Sequence, residues 1–290
     1  MDDQLYLLDA SVFVFRAWFS IPDSVVDGDG RPAHALFGFG SFLCDLLERE
    51  RPRRLAVAFD QSLGSCFRND LYAPYKANRP PAPADLERQL GLCRELVEAM
   101  DIATLASDRF EADDLIGSAA RLGARRVYLT SDKDLTQLVA PGDLWWDPGR
   151  SRRLDADGVA RNLGVPPECV ADLLALAGDS IDNIPGVPGV GHKSAVALLA
   201  ALENLEGVYL GLERIPGLGL RGARRIRGLL EAHREQAFLC RELTRIRRDV
   251  PLPWGPDALD RPPLAATAAD AVALPVQLRS RLRRMADQGL

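Results

Sequence analysis

The chain has 290 residues, 47% hydrophobic and 27% charged, with a formal net charge of -5, an ordinary globular composition that excludes a disordered or fibrous protein. No apolar run reaches the ~20 residues that a bilayer demands. The start Met1-Asp2-Asp3, with later interruptions at Asp9 and Arg16, is wrong for a secretory signal, and five cysteines without a CxxC pair beside three histidines make neither a zinc site nor a disulfide framework.

The sequence therefore reads as a cytoplasmic protein of one large domain or two modest ones. The negative net charge argues against a simple coat for nucleic acid, yet it leaves room for acids gathered at a metal site with bases elsewhere. Three apolar runs have strand character: Leu5 to Leu8, Leu55 to Phe59 and Val127 to Thr130. Each ends within two residues of an aspartate. Helical spacing fills the gaps, as in Phe37 to Leu47 and Leu86 to Met100, so the pattern predicts an α/β domain over 1–158 with a mostly parallel sheet flanked by helices. Ligands of such sheets bind beyond the carboxyl ends of the strands, where Asp9, Asp60, Asp132 and Asp134 would meet. The stretch 62–84, with prolines at 74, 80, 81 and 83, reads as an excursion from the sheet.

Beyond about Asp155 the strand signals stop. Helices are expected over Pro167 to Ala177, His192 to Leu202, Gly222 to Glu231 and Glu235 to Arg248, making a smaller all-helical domain over 159–250. The segment 251–290, rich in Pro and Ala, is expected to be a poorly packed tail with a short basic helix near Arg279 to Arg284. No internal repeat is evident.

More acids stand at Glu111-Ala112-Asp113-Asp114 and at Asp179 and Asp182. Taken singly, these are helix caps and turn residues. Taken together at one sheet edge they repel, each pair ~4 Å apart by ~1 kcal/mol in water and ~4 kcal/mol at an effective dielectric near 20. Hard divalent cations with oxygen ligands, two Mg²⁺ or in their place Mn²⁺, are the compensation expected where His and Cys are absent. Two such ions support in-line phosphodiester hydrolysis. A rival reading takes Asp132-Lys133-Asp134-Leu135-Thr136 as the DxDxT of haloacid-dehalogenase-like phosphatases, with Asp132 as nucleophile, but it leaves Asp9, Asp60 and Glu111 to Asp114 unused. Gly186 to Ser194 is one residue from a P-loop but follows no strand, and Gly217 to Gly222 matches GxGxxG by chance.

Only Lys76, Lys133 and Lys193 are lysines among 36 basic residues, and each lies beside a candidate phosphate site. The glycine turn 186–191 between two helices reads as a helix-hairpin-helix whose N–H groups hold a phosphate, with Lys193 adding charge. Tyr72 to Arg79 and Phe67-Arg68 interleave aromatics with bases, the pattern for stacking a base while neutralising its phosphate. Arg221, Arg224, Arg225 and Arg227 make either further backbone contacts or a solvated face.

As an ordered set, Leu8-Asp9 with Arg16-Ala17, Ala58-Phe59-Asp60, Phe67-Arg68, Tyr75 to Pro81, Glu111 to Asp114, Thr130 to Asp134, and Gly178 to Gly191 resemble the 5'-nuclease family. That family comprises the 5'-to-3' exonuclease domain of bacterial DNA polymerase I, its stand-alone bacterial and phage relatives, and flap endonucleases. The resemblance spans about Leu5 to Val250. It implies a PIN-like domain followed by a helical domain with a helix-hairpin-helix. It also implies a Mg²⁺-dependent, monomeric enzyme of replication and repair that cuts DNA at 5' ends, flaps or nicks, and RNA–DNA hybrids in some cases. Asp9, Asp60, Glu111, Asp113 and Asp114 would then serve one metal centre, and Asp132, Asp134, Asp179 and Asp182 the other. Lys76 and Arg79 would engage the scissile phosphate. DNA contacts would come from Arg16, Arg68, Tyr75, Gly189, Gly191, Lys193 and Ser194, and a potassium ion would sit on the carbonyls of Leu176, Ala177, Pro185, Val187 and Val190.

Ala10 stands where the family usually has Gly, Trp18-Phe19 replaces its Tyr-His, and His192 replaces its Glu. None of these removes a metal ligand. The sequence resembles a stand-alone enzyme or a fragment. A branched-DNA-binding protein without turnover remains the non-enzymatic alternative.

Overall fold

The computed structural model describes residues 4–61 and 66–290. Six strands, β1 (Gln4–Asp9), β2 (Arg54–Asp60), β3 (Ala103–Ser107), β4 (Arg125–Leu129), β5 (Leu144–Asp147) and β6 (Arg152–Leu154), form one sheet in the order β3-β2-β1-β4-β5-β6. Every pairing is parallel except that of β5 with β6. The period-2 alternation of the strands divides their side chains between two cores. Leu5, Leu7, Ala56, Ala58 and Tyr128 face one, and Tyr6, Leu8, Val57, Phe59 and Leu129 the other.

The second face is covered by α1 (Ala10–Ser20), α2 (His34–Arg49) and α4 (Ala84–Ala99). The first is covered by α5 (Ala112–Ala119) and by the helices beyond the sheet, and the short α3 (Phe67–Leu71) begins the described part of the excursion. Of the stretch 62–84, residues 62–65 lie outside the described residues. The rest contains α3 and a series of turns whose base is tied to a later loop: the Lys76 N–H donates to the Asp182 carbonyl, Asn78 donates to Ser180 O, and Asn183 donates to Pro74 O.

The helical part runs α6 (Ala156–Leu163), α7 (Val170–Ala177), α8 (His192–Leu202), α9 (Leu205–Leu210), α10 (Ala223–Ala232) and α11 (Arg234–Thr244). Its apolar residues join the first core rather than forming a separate one. The expected loose tail over 251–290 is overturned. Its last helix, α12 (Val276–Asp287), buries Leu278, Leu282 and Met285 in the second core, and Arg281 pairs with Asp45 and Glu48 of α2. The spacing i, i+4, i+7 puts all three apolar side chains on one face. Burial of each is worth roughly 1.5–3 kcal/mol, enough to fix a segment whose Pro/Ala content favours mobility. Among the described residues no helix is long and apolar enough to cross a membrane.

Candidate active site

Asp9 is the last residue of β1 and Asp60 the last of β2, while Asp132 and Asp134 follow β4 across a tight turn. Because these strands are neighbours in register, their acids meet at the carboxyl edge of the sheet, on either side of the point where strand order reverses. Glu111 caps α5 and Asp113 lies in its first turn. Local hydrogen bonds orient the group. The Thr130 hydroxyl donates to Asp9 Oδ2 at 2.9 Å and accepts the Asp132 N–H at 2.9 Å. The Ala112 N–H donates to Asp60 Oδ1 at 2.8 Å, which points the start of α5 at that carboxylate, and the Asp134 N–H donates to Asp132 Oδ1 at 2.9 Å.

Burial raises the Asp9 carboxyl from 3.8 to about 8, with the charges of Asp60 and Asp132 adding to it. Burial likewise raises Asp113, followed by the charges of Asp132, Asp9 and Asp60. Asp132 and Asp134 are raised first by burial too, and Asp134 also by Asp132, Asp179 and Asp182. These mutual effects place Asp9, Asp60, Asp113 and Asp132 in one field, and Asp132, Asp134, Asp179 and Asp182 in an adjoining one. Asp134 Oδ1 is buried without a hydrogen-bond partner. Such an all-oxygen, over-acidic set fits a hard divalent cation. Among the described residues, however, no three acids, histidines or cysteines form a ready ligand shell as their side chains stand.

Basic side chains cover part of the cluster. Lys76 pairs with Glu111 and, at 3.7 Å, with Asp182. Arg79 pairs with Asp182 at 2.6 Å and Lys133 with Asp179 at 2.8 Å. Burial works to raise Glu111, but Lys76 and Arg68 outweigh it and leave that carboxyl below its ordinary range. Lys133 does the same to Asp179. Lys76 has φ +54, a left-handed backbone held by its bond to Asp182, and strain of this kind gathers at working sites. Arg16 is half-exposed and bound to Asp147 at 3.0 Å.

Three expected site residues are engaged elsewhere. Asp114 is fully buried, its oxygens accepting from Arg68 at 2.7 and 2.8 Å and from the Arg247 N–H at 2.9 Å. It therefore stands apart from the metal-type cluster, because neighbouring helical positions point in different directions and only Asp113 faces the pocket. Arg68, at 3% exposure, has no face for DNA. Tyr75 is buried in the first core with its hydroxyl on Glu111 and Asp182, so its ring is not a stacking platform. Thr130 was missed as an organiser of the site because a lone Thr after a strand carries no distinguishing pattern.

At the turn between α7 and α8, Gly178 (φ +78) and Gly186 (φ +63) bring two backbone segments into contact. A Cβ at Gly186 would stand 2.3 Å from Gly178 N, and one at Gly178 would stand 2.9 Å from Pro185 O. This draws Ala177 and Pro185 together, with Leu176 O accepting the Val187 N–H and Val187 O that of Val190. Gly191 caps α8, and Gly189, Gly191 and Lys193 are exposed while Ser194 is half-buried.

The model of the 5'-3' exonuclease N-terminal resolvase-like domain matches residues 4–164, and that of the 5'-3' exonuclease C-terminal SAM fold matches 165–267. The chain is 34% identical over 248 residues to a 5'-3' exonuclease of Buchnera aphidicola, covering 84% of this chain and 82% of that one. It is 41% identical over 253 residues to DNA polymerase I of Pseudomonas aeruginosa, covering 86% of this chain but 28% of that protein. Thus it spans under a third of the polymerase relatives it matches. Its fold is similar to T5 5'-exonuclease with bound divalent metal ions (TM-score 0.67, 19% identity, 99% of each chain) and to the catalytic core of Rad2 in complex with DNA substrate (TM-score 0.59, 17% identity, 100% of this chain and 92% of that one). A sheet edge crowded with carboxylates, a helical hairpin behind it, and two adjoining family matches over 4–267 lead to one assignment: the chain belongs to the 5'-3' exonuclease family.

Proposed function

We propose that the protein is a Mg²⁺-dependent 5' nuclease that hydrolyses phosphodiester bonds of DNA at 5' ends, flaps or nicks. Mn²⁺ would serve in place of Mg²⁺, and RNA–DNA hybrids are further substrates. The observation that carries this reading is the meeting of Asp9, Asp60, Asp113 and Asp132 at the carboxyl edge of the sheet, where burial first, and then the charges of Asp60 and Asp132, raise the Asp9 carboxyl to about 8. Asp9, Asp60, Glu111 and Asp113 would hold one divalent ion and Asp132, Asp134, Asp179 and Asp182 a second. Bound there, the ions supply an activated water and charge neutralisation at the leaving oxygen.

The chain's own residues do the rest. Lys76 and Arg79, now on Glu111 and Asp182, would exchange those carboxylates for the phosphate to be cut. Gly189 and Gly191 would offer N–H groups, and Lys193 and Ser194 charge and a hydroxyl, to a duplex phosphate. The carbonyls of Leu176, Ala177, Pro185, Val187 and Val190 would hold a potassium ion against that phosphate, and the enzyme would act as a monomer. The phosphatase reading of Asp132 loses its ground, because the charge of Asp132 acts on Asp9 and Asp113, acids that the reading leaves idle. The test uses 5'-labelled flap DNA. Short labelled products in Mg²⁺ that vanish with chelator support the reading, and tight binding with no cleavage in either metal favours the non-enzymatic alternative.

A further inference from the structure

We propose that Arg68 is a positioning residue that fixes the carboxylate of Glu111 and makes its placement depend on the seating of the helical part. A guanidinium has five N–H donors, and in this structure all five are used. Nε donates to Leu243 O at 2.8 Å. Nη1 donates to Glu111 Oε2 at 2.9 Å and to Asp114 Oδ2 at 2.7 Å. Nη2 donates to Asp114 Oδ1 at 2.8 Å and to Arg245 O at 3.2 Å. With the side chain 3% exposed, no donor remains for a DNA phosphate.

These bonds join three parts of the molecule at one point: α3 in the excursion, the cap of α5, and the C-terminal end of α11 with the residue that follows it. That segment is further pinned to the α/β half. The Arg247 N–H donates to Asp114 Oδ1, Gln137 donates to Thr244 O and accepts the Ile246 N–H, and the Val250 N–H donates to Ser118 Oγ. At Gly117 the helix backbone comes so close that a Cβ would stand 2.6 Å from Ile246 and 2.7 Å from Arg247 O. Glu111 also takes Lys76 and Tyr75, which reach Asp182 in the turn between α7 and α8, whereas Arg68 supplies the contact that ties Glu111 to the end of α11. Partners of ligating carboxylates tune metal affinity by 10–100-fold when removed. Two carboxylates and two carbonyls held by a planar fork are not served by a lysine.

This inference rests on the proposed metal-dependent reading, so wild-type protein must first bind Mn²⁺ and cut flap DNA; failure there would count against that reading. The test measures Mn²⁺ affinity of the DNA-free full chain by calorimetry, and flap-DNA affinity in EDTA across salt concentrations. Arg68→Met/Asp114→Leu removes both members of the buried pair and is expected to fold, since apolar replacement of a buried pair is often neutral. The Mn²⁺ dissociation constant should rise about tenfold, while DNA affinity stays within about twofold and its salt slope is unchanged. Arg68→Lys should not restore the metal affinity. Gln137→Ala loosens the 244–246 segment without touching any charge and should weaken Mn²⁺ binding about threefold. Wild-type Mn²⁺ affinity in these variants, or a salt slope lower by about one with metal affinity intact, would overturn the proposal and return Arg68 to the DNA interface.

Discussion

Asp9→Asn should make the metal-free protein more stable while weakening its chemistry. The native fold holds the Asp9 proton up to about 8, against an ordinary 3.8. Below the lower value both native and unfolded chains are protonated, and the group contributes nothing. Between the two the unfolded chain ionises and the native one does not, so stability falls as pH rises, by about 1.4 kcal/mol per pH unit. By pH 7 the loss reaches about 4 kcal/mol, and above about 8 it is complete. Asp113, raised by burial and then by Asp132, Asp9 and Asp60, acts in the same direction. Asparagine keeps the acceptor for Thr130 and cannot ionise. In EDTA at pH 7 the variant should therefore be about 2–4 kcal/mol more stable than wild type, a rise of roughly 5–10 °C in Tm for a chain of this size. Saturating Mg²⁺ should close the gap by stabilising wild type alone. Thermal melts from pH 5 to 8, with chelator and with Mg²⁺, provide the assay. A wild type whose Tm in chelator is flat or rising over that range, with the variant less stable, would refute the reasoning.

Further outcomes follow from other parts of the structure. Asp132→Asn should lower flap cleavage by about a hundredfold or more while leaving DNA affinity in EDTA near wild type, as single-turnover and filter-binding measurements would show. Lys193→Ala should flatten the dependence of log affinity on log salt by about one; an unchanged slope would remove Lys193 from the interface. Gly186→Ala forces a Cβ to 2.3 Å from Gly178 N at φ +63, which should cost about 1–3 kcal/mol of stability and weaken duplex binding in K⁺. Leu282→Ala, deep in the second core, should cost about 2–5 kcal/mol by denaturant unfolding; a negligible loss would mean that α12 is as loosely held as its composition implies.

The legible parts of the fold were those with a dense local signal. β1, β2 and β4 announce themselves as apolar runs closed by aspartates, and α8 falls at His192–Leu202 as its spacing predicts. β3, β5 and β6 are three to five residues long and contain Thr, Ser, Trp and Arg, too short for periodicity to separate them from loops. The short basic helix expected near Arg279 to Arg284 is present as the middle of α12, but the Pro/Ala-rich stretch before it hid its packing, although Leu278, Leu282 and Met285 already carry the helical spacing. The acids of the pocket could be named because each closes a strand or opens a helix. Asp114 could not be separated from Asp113 by residue type, and the angle between adjacent helical positions was the signal that would have done so. Arg68 and Tyr75 read as DNA contacts because bases beside aromatics look alike whether exposed or buried. Only the packing of 243–247 against α5 shows that the guanidinium is spent inside the protein.

The measurement that bears most directly on the account is a titration of Mn²⁺ into the DNA-free protein, followed by electron paramagnetic resonance. Saturable uptake of up to two ions per chain, abolished or sharply weakened in Asp9→Asn/Asp113→Asn, is the predicted result. No uptake at millimolar Mn²⁺, or uptake indifferent to those substitutions, would contradict a carboxylate pocket built to hold metal.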